Sequence, residues 1–254
     1  MKNITLSKRM ETVVNMVSPR SFAIADIGCD HAYISIALLE RRLAEKVIAM
    51  DVRPGPLEIA RKNVAYYGME DRIELRMSDG LDRLSKGEAD VIIIAGMGGL
   101  LMKGILERGR KILEWEKKRP SLILQPQSDI HEVRIFLQEH AYHIVQEKML
   151  MDEGKYYTVI KAEPRKVDRQ YTDTELRYGS YSLEHRDMVL YEYLKKEKKV
   201  LENIFIKLAD VVENAKAKGE FVPDKTIKRL AAVEKERDMN SRALEYYVNQ
   251  EECK

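Results

Sequence analysis

The chain has 254 residues, 44% of them hydrophobic, enough for one large domain or a domain with an appendage. Its 44 Lys and Arg nearly cancel its 42 Asp and Glu, so global charge does not argue for nucleic acid, and an RNA surface would have to come from local clustering. Two cysteines far apart, five histidines without a Cys/His ligand spacing, and no apolar run near the roughly 20 residues of a membrane span argue against a disulfide framework, a metal centre or a membrane protein. With no signal-peptide core, a soluble cytoplasmic protein is expected.

Ile4, Leu6, Met10, Val13, Val14 and Val17 predict an amphipathic helix over residues 3–17, stopped by Pro19. Its Lys8 and Arg9 read as a solvated face, with contact to RNA phosphates as the alternative. The apolar run from Phe22 to Ile27 then stops at Gly28. A helical pattern carrying Ile34, Ile36, Ala37, Leu38 and Leu39 follows, and a second apolar run, Val47 to Met50, ends in Asp51. A strand, tight turn, helix and strand of this length join parallel neighbours, and in an open α/β sheet the ligand lies beyond the carboxyl ends of the strands. Asp26, Gly28, Asp30 and Asp51 all fall there. Asp51 is spaced to accept hydrogen bonds from both hydroxyls of a ribose.

The turn narrows the cofactor. A dinucleotide site wants G-x-G-x-x-G, so that backbone can approach a pyrophosphate at the helix N-terminus. Here Gly28-Cys29-Asp30-His31-Ala32 offers one glycine and a carboxylate. Asp30 repels a pyrophosphate but suits a ligand bearing a cationic amino group and a sulfonium, as S-adenosyl-L-methionine does.

Pro54 and Pro56 open a helix that runs to Gly68, and Ile73, Leu75 and Met77 alternate as a third strand ending in Ser78-Asp79-Gly80. Ala89 to Ala95 has the continuous apolar character of a central parallel strand. It ends in Gly96-Met97-Gly98-Gly99, glycines being useful where backbone must approach a ligand. One helix is expected from Leu100 to Arg119, with Lys103, Arg108, Arg110, Lys111, Lys117, Lys118 and Arg119 against Glu107, Glu114 and Glu116. That excess is either a solvated face or an RNA-binding patch. Ser121 to Leu124 makes a fifth strand, and Ser128 or Asp129 is placed to cap the helix after it. The runs Tyr142 to Met151 and Tyr156 to Ala162 flank the hairpin turn chemistry of Asp152-Glu153-Gly154-Lys155.

Residues 163–178 lose periodicity and read as a connector. Beyond Gly179, Leu201, Ile204, Leu208, Val211 and Ala215 form a heptad seam. Gly219 and Pro223 interrupt it, and Ile227, Leu230, Leu244 and Val248 resume it on a second helix. The expected fold is therefore α/β: a Rossmann-like sheet, parallel with an antiparallel terminal hairpin, in residues 1–162, and a helical antiparallel coiled coil after the connector in residues 163–254.

The blocks ADIGCDHAYISIAL, MDVRPGPLEIARKN, MSDGL, IIIAGMGGLL and LILQPQ, with YGSYSLEHRD and the helical tail, resemble those of the bacterial tRNA (adenine(22)-N1)-methyltransferases. That resemblance implies a class I S-adenosylmethionine-dependent methyltransferase domain, a tRNA substrate methylated at N1 of adenine 22, and a helical extension that grips RNA, where its own pattern fits mechanical support or dimerisation equally. It implies a cofactor site of Asp26, Gly28, Asp30, Asp51, Val52, Asp79, Gly80 and Gly96 to Gly99. Asp79 would accept from the cofactor's adenine amino group, or simply make the turn before Gly80. Many methyltransferases of exocyclic amines carry Asp or Asn, two prolines and an aromatic where this chain has Gly96-Met97-Gly98-Gly99, which argues against an exocyclic amine and is compatible with a ring nitrogen.

Asp30 and His31 are the catalytic candidates, with helix capping by Asp30 and a satisfied backbone contact by His31 as the bland alternatives. Lys103, Arg108, Arg110, Lys111, Lys195 and Lys196 are the candidate RNA contacts, and a monomer is favoured. Rival readings are a methyltransferase of protein or small molecules, a dinucleotide oxidoreductase, and a non-catalytic tRNA-binding protein.

Overall fold

A computed structural model describes residues 4–19, 21–166 and 169–248. The chain divides into two compact units, one up to Gln170 and one from Tyr171. The first unit continues past residue 162 because its last strand still pairs there, with Tyr142 opposite Pro164 and the Arg165 N–H donating to Ala141 O.

Strands β1 (Ser21–Ile27), β2 (Ala44–Asp51), β3 (Ile73–Met77), β4 (Val91–Met97), β5 (Ser121–Pro126), β6 (Tyr142–Asp152) and β7 (Lys155–Pro164) form one sheet in the order β3-β2-β1-β4-β5-β7-β6. The first five are parallel, and β7 lies antiparallel between β5 and β6. Consecutive residues Ile92, Ile93 and Ile94 are fully buried, which requires cover on both faces of the sheet. The turn between β6 and β7 has positive φ at Glu153 (47°) and Gly154 (77°), the backbone of a two-residue type I′ hairpin. The order of the strands reverses at β1, whose neighbours are β2 and β4, so the switch point lies at their carboxyl ends.

Helix α1 (Lys8–Asn15) is shorter than its apolar pattern, because Ser7 caps it by accepting the Met10 N–H. Helices α2 (Tyr33–Glu40) and α3 (Pro54–Tyr67) follow β1 and β2, α3 closing on Gly68 at φ 66°. The single helix expected from Leu100 to Arg119 is two, α4 (Gly99–Arg108) and α5 (Arg110–Leu113). They part at Gly109, where a Cβ would lie 2.3 Å from Leu81 Cδ1, so the chain turns at its closest approach to the core. Helix α6 (Ile130–Glu139) is capped by neither expected side chain: Asp129 sits at its N-cap with φ 48°, and its carboxylate accepts the Ser128 hydroxyl instead.

In the second unit the expected connector contains α7 (Asp173–Tyr178), opened by a capping box of Thr172 and Glu175. After α8 (Ser180–Glu184), the 30-residue α9 (Met188–Ala217) and 25-residue α10 (Asp224–Val248) run antiparallel. Their pairs show this directly: Tyr191 stacks on Tyr247, Leu194 O accepts from Asn240, and Glu202 takes Arg237. The seam runs through Leu190, Leu194, Leu201 and Val212 against Val233, Asn240 and Ala243. Val211, Ile227 and Val248 face solvent, contrary to the expected heptad. Both Val211 and Val212 continue the spacing from Leu208, and the helix buries the second.

The start of α4 is packed backbone on backbone. A Cβ on Gly99 would lie 2.3 Å from Ser128 O and 2.6 Å from Asp129 O, neither of which can rotate away. Gly104, on the same helix, would meet only Arg108 Nη1 at 3.9 Å. Gly99→Ala is therefore expected to cost at least about 2 kcal/mol in urea unfolding, while Gly104→Ala gains up to about 1 kcal/mol from helix propensity. Equal effects at the two positions would remove the packing argument.

Candidate functional site

A cavity of about 410 Å³ opens beyond the carboxyl ends of β1 to β5. The turn after β1 forms its floor. The N–H groups of Gly28 and Cys29 both donate to Met50 O, at 2.8 and 2.9 Å, tying the turn to the end of β2. Gly28 has φ 71°, and Met97 Cε would stand 2.2 Å from any Cβ there, so glycine answers both a backbone and a packing demand. Asp30 and Ala32 also take positive φ, 49° and 61°. As a result α2 starts only at Tyr33, with Ala32 as its N-cap and no side-chain cap, so Asp30 does not perform the capping role considered for it.

The carboxylates are held in different ways. Asp51, 5% exposed, accepts the Arg53 N–H at 2.9 Å and the Asp30 N–H at 3.3 Å, which fixes its plane. Arg53 lies 3.8 Å from Asp51 and 4.0 Å from Asp30. Asp26 is buried and accepts the Ser35 hydroxyl at 2.6 Å. Burial pushes its carboxyl up to about 6, the Ser35 hydrogen bonds pulling in the opposite direction. Burial, with the carboxylates of Asp26, Asp51 and Asp30 around it, also pushes the Cys29 thiol up, so it is a protonated and poor nucleophile at neutral pH.

Asp79 is exposed and pairs with Arg108 at 3.0 Å, while Ser78 makes the turn by donating to Gly80 O and accepting the Arg83 N–H. His31 Nε2 is 3.4 Å from the Asp30 carboxylate, its ring stacked with Tyr33, and its carbonyl accepts from Asn63.

Asp26, Gly28, Asp30, His31, Asp51, Val52, Asp79, Gly80, Gly96 and Met97 all line this one cavity. Gly98 and Gly99 are not among the lining residues; they start α4, and the absence of a Cβ at Gly99 serves its contact with Ser128 and Asp129. Arg9, Met10, Leu101, Ile105 and Gln127 also line it and were not foreseen. Only the 3.6-residue pattern of α1 placed Arg9 and Met10 at all, and that pattern does not say which sheet end a helix start will meet.

The basic stretch is largely engaged within the fold. Lys103 pairs with Glu132, Arg108 with Asp79, Arg110 with Glu114 and Lys118 with Asp90, and Arg119 donates to Leu113 O and His140 O. Lys111 and Lys117 have no such partner among the described residues. On α9, Lys195 pairs with Glu192 and lies over the Tyr191 ring, and it shares a shallow depression with Lys196, Lys198 and Lys199. Among the described residues no group of three or more His, Cys, Asp or Glu could hold a metal, and no helix is long and apolar enough to cross a membrane.

Residues 24–231 match the family model described as tRNA (adenine(22)-N(1))-methyltransferase. The chain is 36% identical over 198 residues to the Bacillus subtilis tRNA (adenine(22)-N(1))-methyltransferase, covering 78% of each protein. It is also similar to the crystal structure of the B. subtilis m1A22 tRNA methyltransferase, with a TM-score of 0.83 and 27% identity over 95% of this chain and all of that one. A Streptococcus pneumoniae chain crystallised with S-adenosyl-L-methionine matches with a TM-score of 0.79 and 29% identity, over 94% of this chain and all of that one.

Asp26 yields a pH prediction. Its folded-state value, about 6, lies above the ordinary carboxyl value of 3.8, so its contribution favours the fold below about 4 and is lost as pH rises through about 6. Asp26→Asn removes that titration. The variant is expected to be more stable than the parent at pH 7.5, by on the order of 2–3 kcal/mol, with the gap narrowing to about 1 kcal/mol at pH 4.5. Paired thermal melts across that range check this, and a gap independent of pH would show that Asp26 is not destabilised by burial.

Proposed function

The chain belongs to the tRNA (adenine(22)-N(1))-methyltransferase family, and from that premise we propose how the cavity after β1 serves the reaction. The reaction transfers a methyl group from S-adenosyl-L-methionine to N1 of adenine 22 in tRNA. The observation that carries the assignment of the site is the convergence of four carboxylates, Asp26, Asp30, Asp51 and Asp79, on one cavity at the switch point. That set of acceptors fits a cofactor with two positive groups and a diol, and it opposes a pyrophosphate.

When bound, the cofactor supplies an electrophilic methyl group on a sulfonium. Asp51, held by the N–H groups of Asp30 and Arg53, accepts hydrogen bonds from the two ribose hydroxyls. Asp79 accepts from the adenine amino group, with Val52 and Gly80 beside it. Asp26 and Asp30 face the amino group and sulfonium, and Gly28 and Gly96 let them approach backbone. Ile27, Met97, Leu101 and Ile105 give the cavity its apolar surface and exclude water.

Adenine N1 carries a free lone pair, so no proton need leave before it attacks. The protein's work is then alignment, for which about 7–11 kcal/mol of the barrier is available from positioning. Transfer leaves the adenine cationic. Asp30, within 3.4 Å of His31, is placed to stabilise that charge, and either group can take a proton from N6.

The tRNA is held by Lys111 on α5, which has no partner among the described residues, and by the cluster Lys195, Lys196, Lys198 and Lys199 on α9, where Lys195 would have to exchange Glu192 for a phosphate. Lys103, Arg108 and Arg110 would contribute only by exchanging their present partners. The enzyme acts as a monomer in the cytoplasm, where unmodified tRNA is found.

Incubation of the protein with S-adenosyl-L-methionine and an unmodified tRNA transcript bearing adenine 22, followed by nuclease digestion and mass spectrometry, is expected to give 1-methyladenosine, absent when position 22 is guanine. Asp51→Ala is expected to weaken cofactor binding on the order of 100-fold, because two hydroxyls lose a charged acceptor; unchanged affinity by calorimetry would remove Asp51 from the site. Asp30→Ala is expected to lower turnover more than tRNA affinity, and equal losses would assign Asp30 a structural role.

A further inference from the structure

Charge is unevenly spread around the cavity. The ends of β1, β2 and β3 carry its four carboxylates, whereas the wall beside β4 and β5 carries Arg9, Gln127 and the backbone of Gly96. The two lining arginines differ in kind. Arg53 lies within 4.0 Å of two carboxylates. The Arg9 guanidinium has no carboxylate partner among the described residues; its Nη1 donates at 2.7 Å to Gln125 Oε1, a neutral carboxamide, and it lies over the Tyr157 ring at 5.7 Å.

Gln125 is a built support. It is fully buried, its Oε1 also accepts the Gly96 N–H at 3.1 Å, and its Nε2 donates to Pro126 O at 3.1 Å. One carboxamide therefore ties the end of β4 to the first turn of α1, and Asp152 holds that turn from the hairpin by accepting the Arg9 N–H at 3.0 Å. A Cβ on Gly96 would lie 3.4 Å from Arg9 Nη1 and 3.9 Å from Gln127 Nε2, so two donors close on one point above a residue without a side chain. Arginine has five N–H donors in a fixed fork, and Gln125 uses one nitrogen of it.

We propose that Arg9 is the oxyanion receptor of the cavity, binding a pair of ligand oxygens above Gly96. The inference rests on the cofactor placement proposed above. With the ribose on Asp51 at the end of β2 and the adenine beyond β3, the cofactor's α-carboxylate extends over β1 toward β4. The other source of the same chemistry is the phosphate next to the adenine that must leave its stack to reach the methyl group. Either presents two oxygens to a planar fork.

The test uses the full chain with Arg9→Met, which keeps an apolar stem beside Tyr157, and Arg9→Lys, which keeps the charge. Melting curves confirm folding. Calorimetry gives the affinity for S-adenosyl-L-methionine and for its decarboxylated analogue, and titration of an unmodified tRNA transcript at several salt concentrations gives the RNA arm.

If the carboxylate is the partner, the parent binds the intact cofactor about tenfold or more tighter than the analogue, and Arg9→Met erases the difference. If the phosphate is the partner, Arg9→Met leaves both cofactor affinities alone, weakens tRNA about tenfold, and lowers the salt slope by roughly 0.7 to 0.9. Arg9→Lys is expected to fall between parent and Arg9→Met in whichever arm responds. A folded Arg9→Met with cofactor and tRNA affinities unchanged overturns the proposal. Asp51→Ala separates the two readings: if it loses the cofactor while Arg9→Met loses nothing, only the oxyanion role fails; if neither loses anything, the cofactor placement fails as well.

Discussion

The ligand end of this protein depends on β1 pairing in parallel with β2 on one side and β4 on the other. Parallel pairing sets the carboxyl ends of the three strands side by side, so that Asp26, Asp51 and Gly96, far apart in sequence, meet around one cavity. The next connection must then cross from β3 back to the other side of β1, and that reversal opens the crevice. The turn after β1 is secured to this frame through Met50 O rather than through its own helix, whose N-cap has no side-chain partner. An insertion or a slip in β1 would therefore move the carboxylates together, and no single loop could restore them.

What the sequence made legible follows from the same frame. Strand ends are readable because a central parallel strand is a nearly continuous apolar run, and the first carboxylate or glycine after Ile27, Met50 and Ala95 marks where the backbone leaves the core. The hairpin was readable because Glu153-Gly154 meets the positive φ that a type I′ turn demands. Contacts between distant elements were not readable. The break at Gly109 is caused by Leu81, the glycine at 99 by a carbonyl at 128, and the place of Arg9 by a carboxamide at 125. None of these has a local signature, since each requires knowing which surfaces meet.

Charge shows the same limit. Seven cations between Leu100 and Arg119 form an impressive run on paper, but five of them are spent on Glu132, Asp79, Glu114, Asp90 and two carbonyls. Partly exposed pairs of this kind add little stability, about 0–1 kcal/mol each. Their consequence for binding is larger, because a phosphate competing for a paired cation must first displace a carboxylate. A count of basic residues therefore overstates the electrostatic footprint offered to RNA, and lysines without a partner, such as Lys111 and Lys117, weigh more than their number.

The acidic wall also bears on the chemistry. Methyl transfer does not create net charge; it moves a positive charge from sulfur to the adenine ring over a few ångströms. Under the proposed placement, carboxylates fixed at the sulfur end would act without reorganising, which is the condition under which fixed charges lower a barrier most effectively. Asp51 is locked by two backbone N–H groups and Asp26 by Ser35, so neither has freedom to follow the charge. Asp30 has only the turn and the more exposed Arg53 and His31 around it. Of the three carboxylates near the first turn it is the least constrained, which under the proposed placement would separate its role from theirs: Asp26 and Asp51 would fix where the cofactor lies, and Asp30 would answer the product.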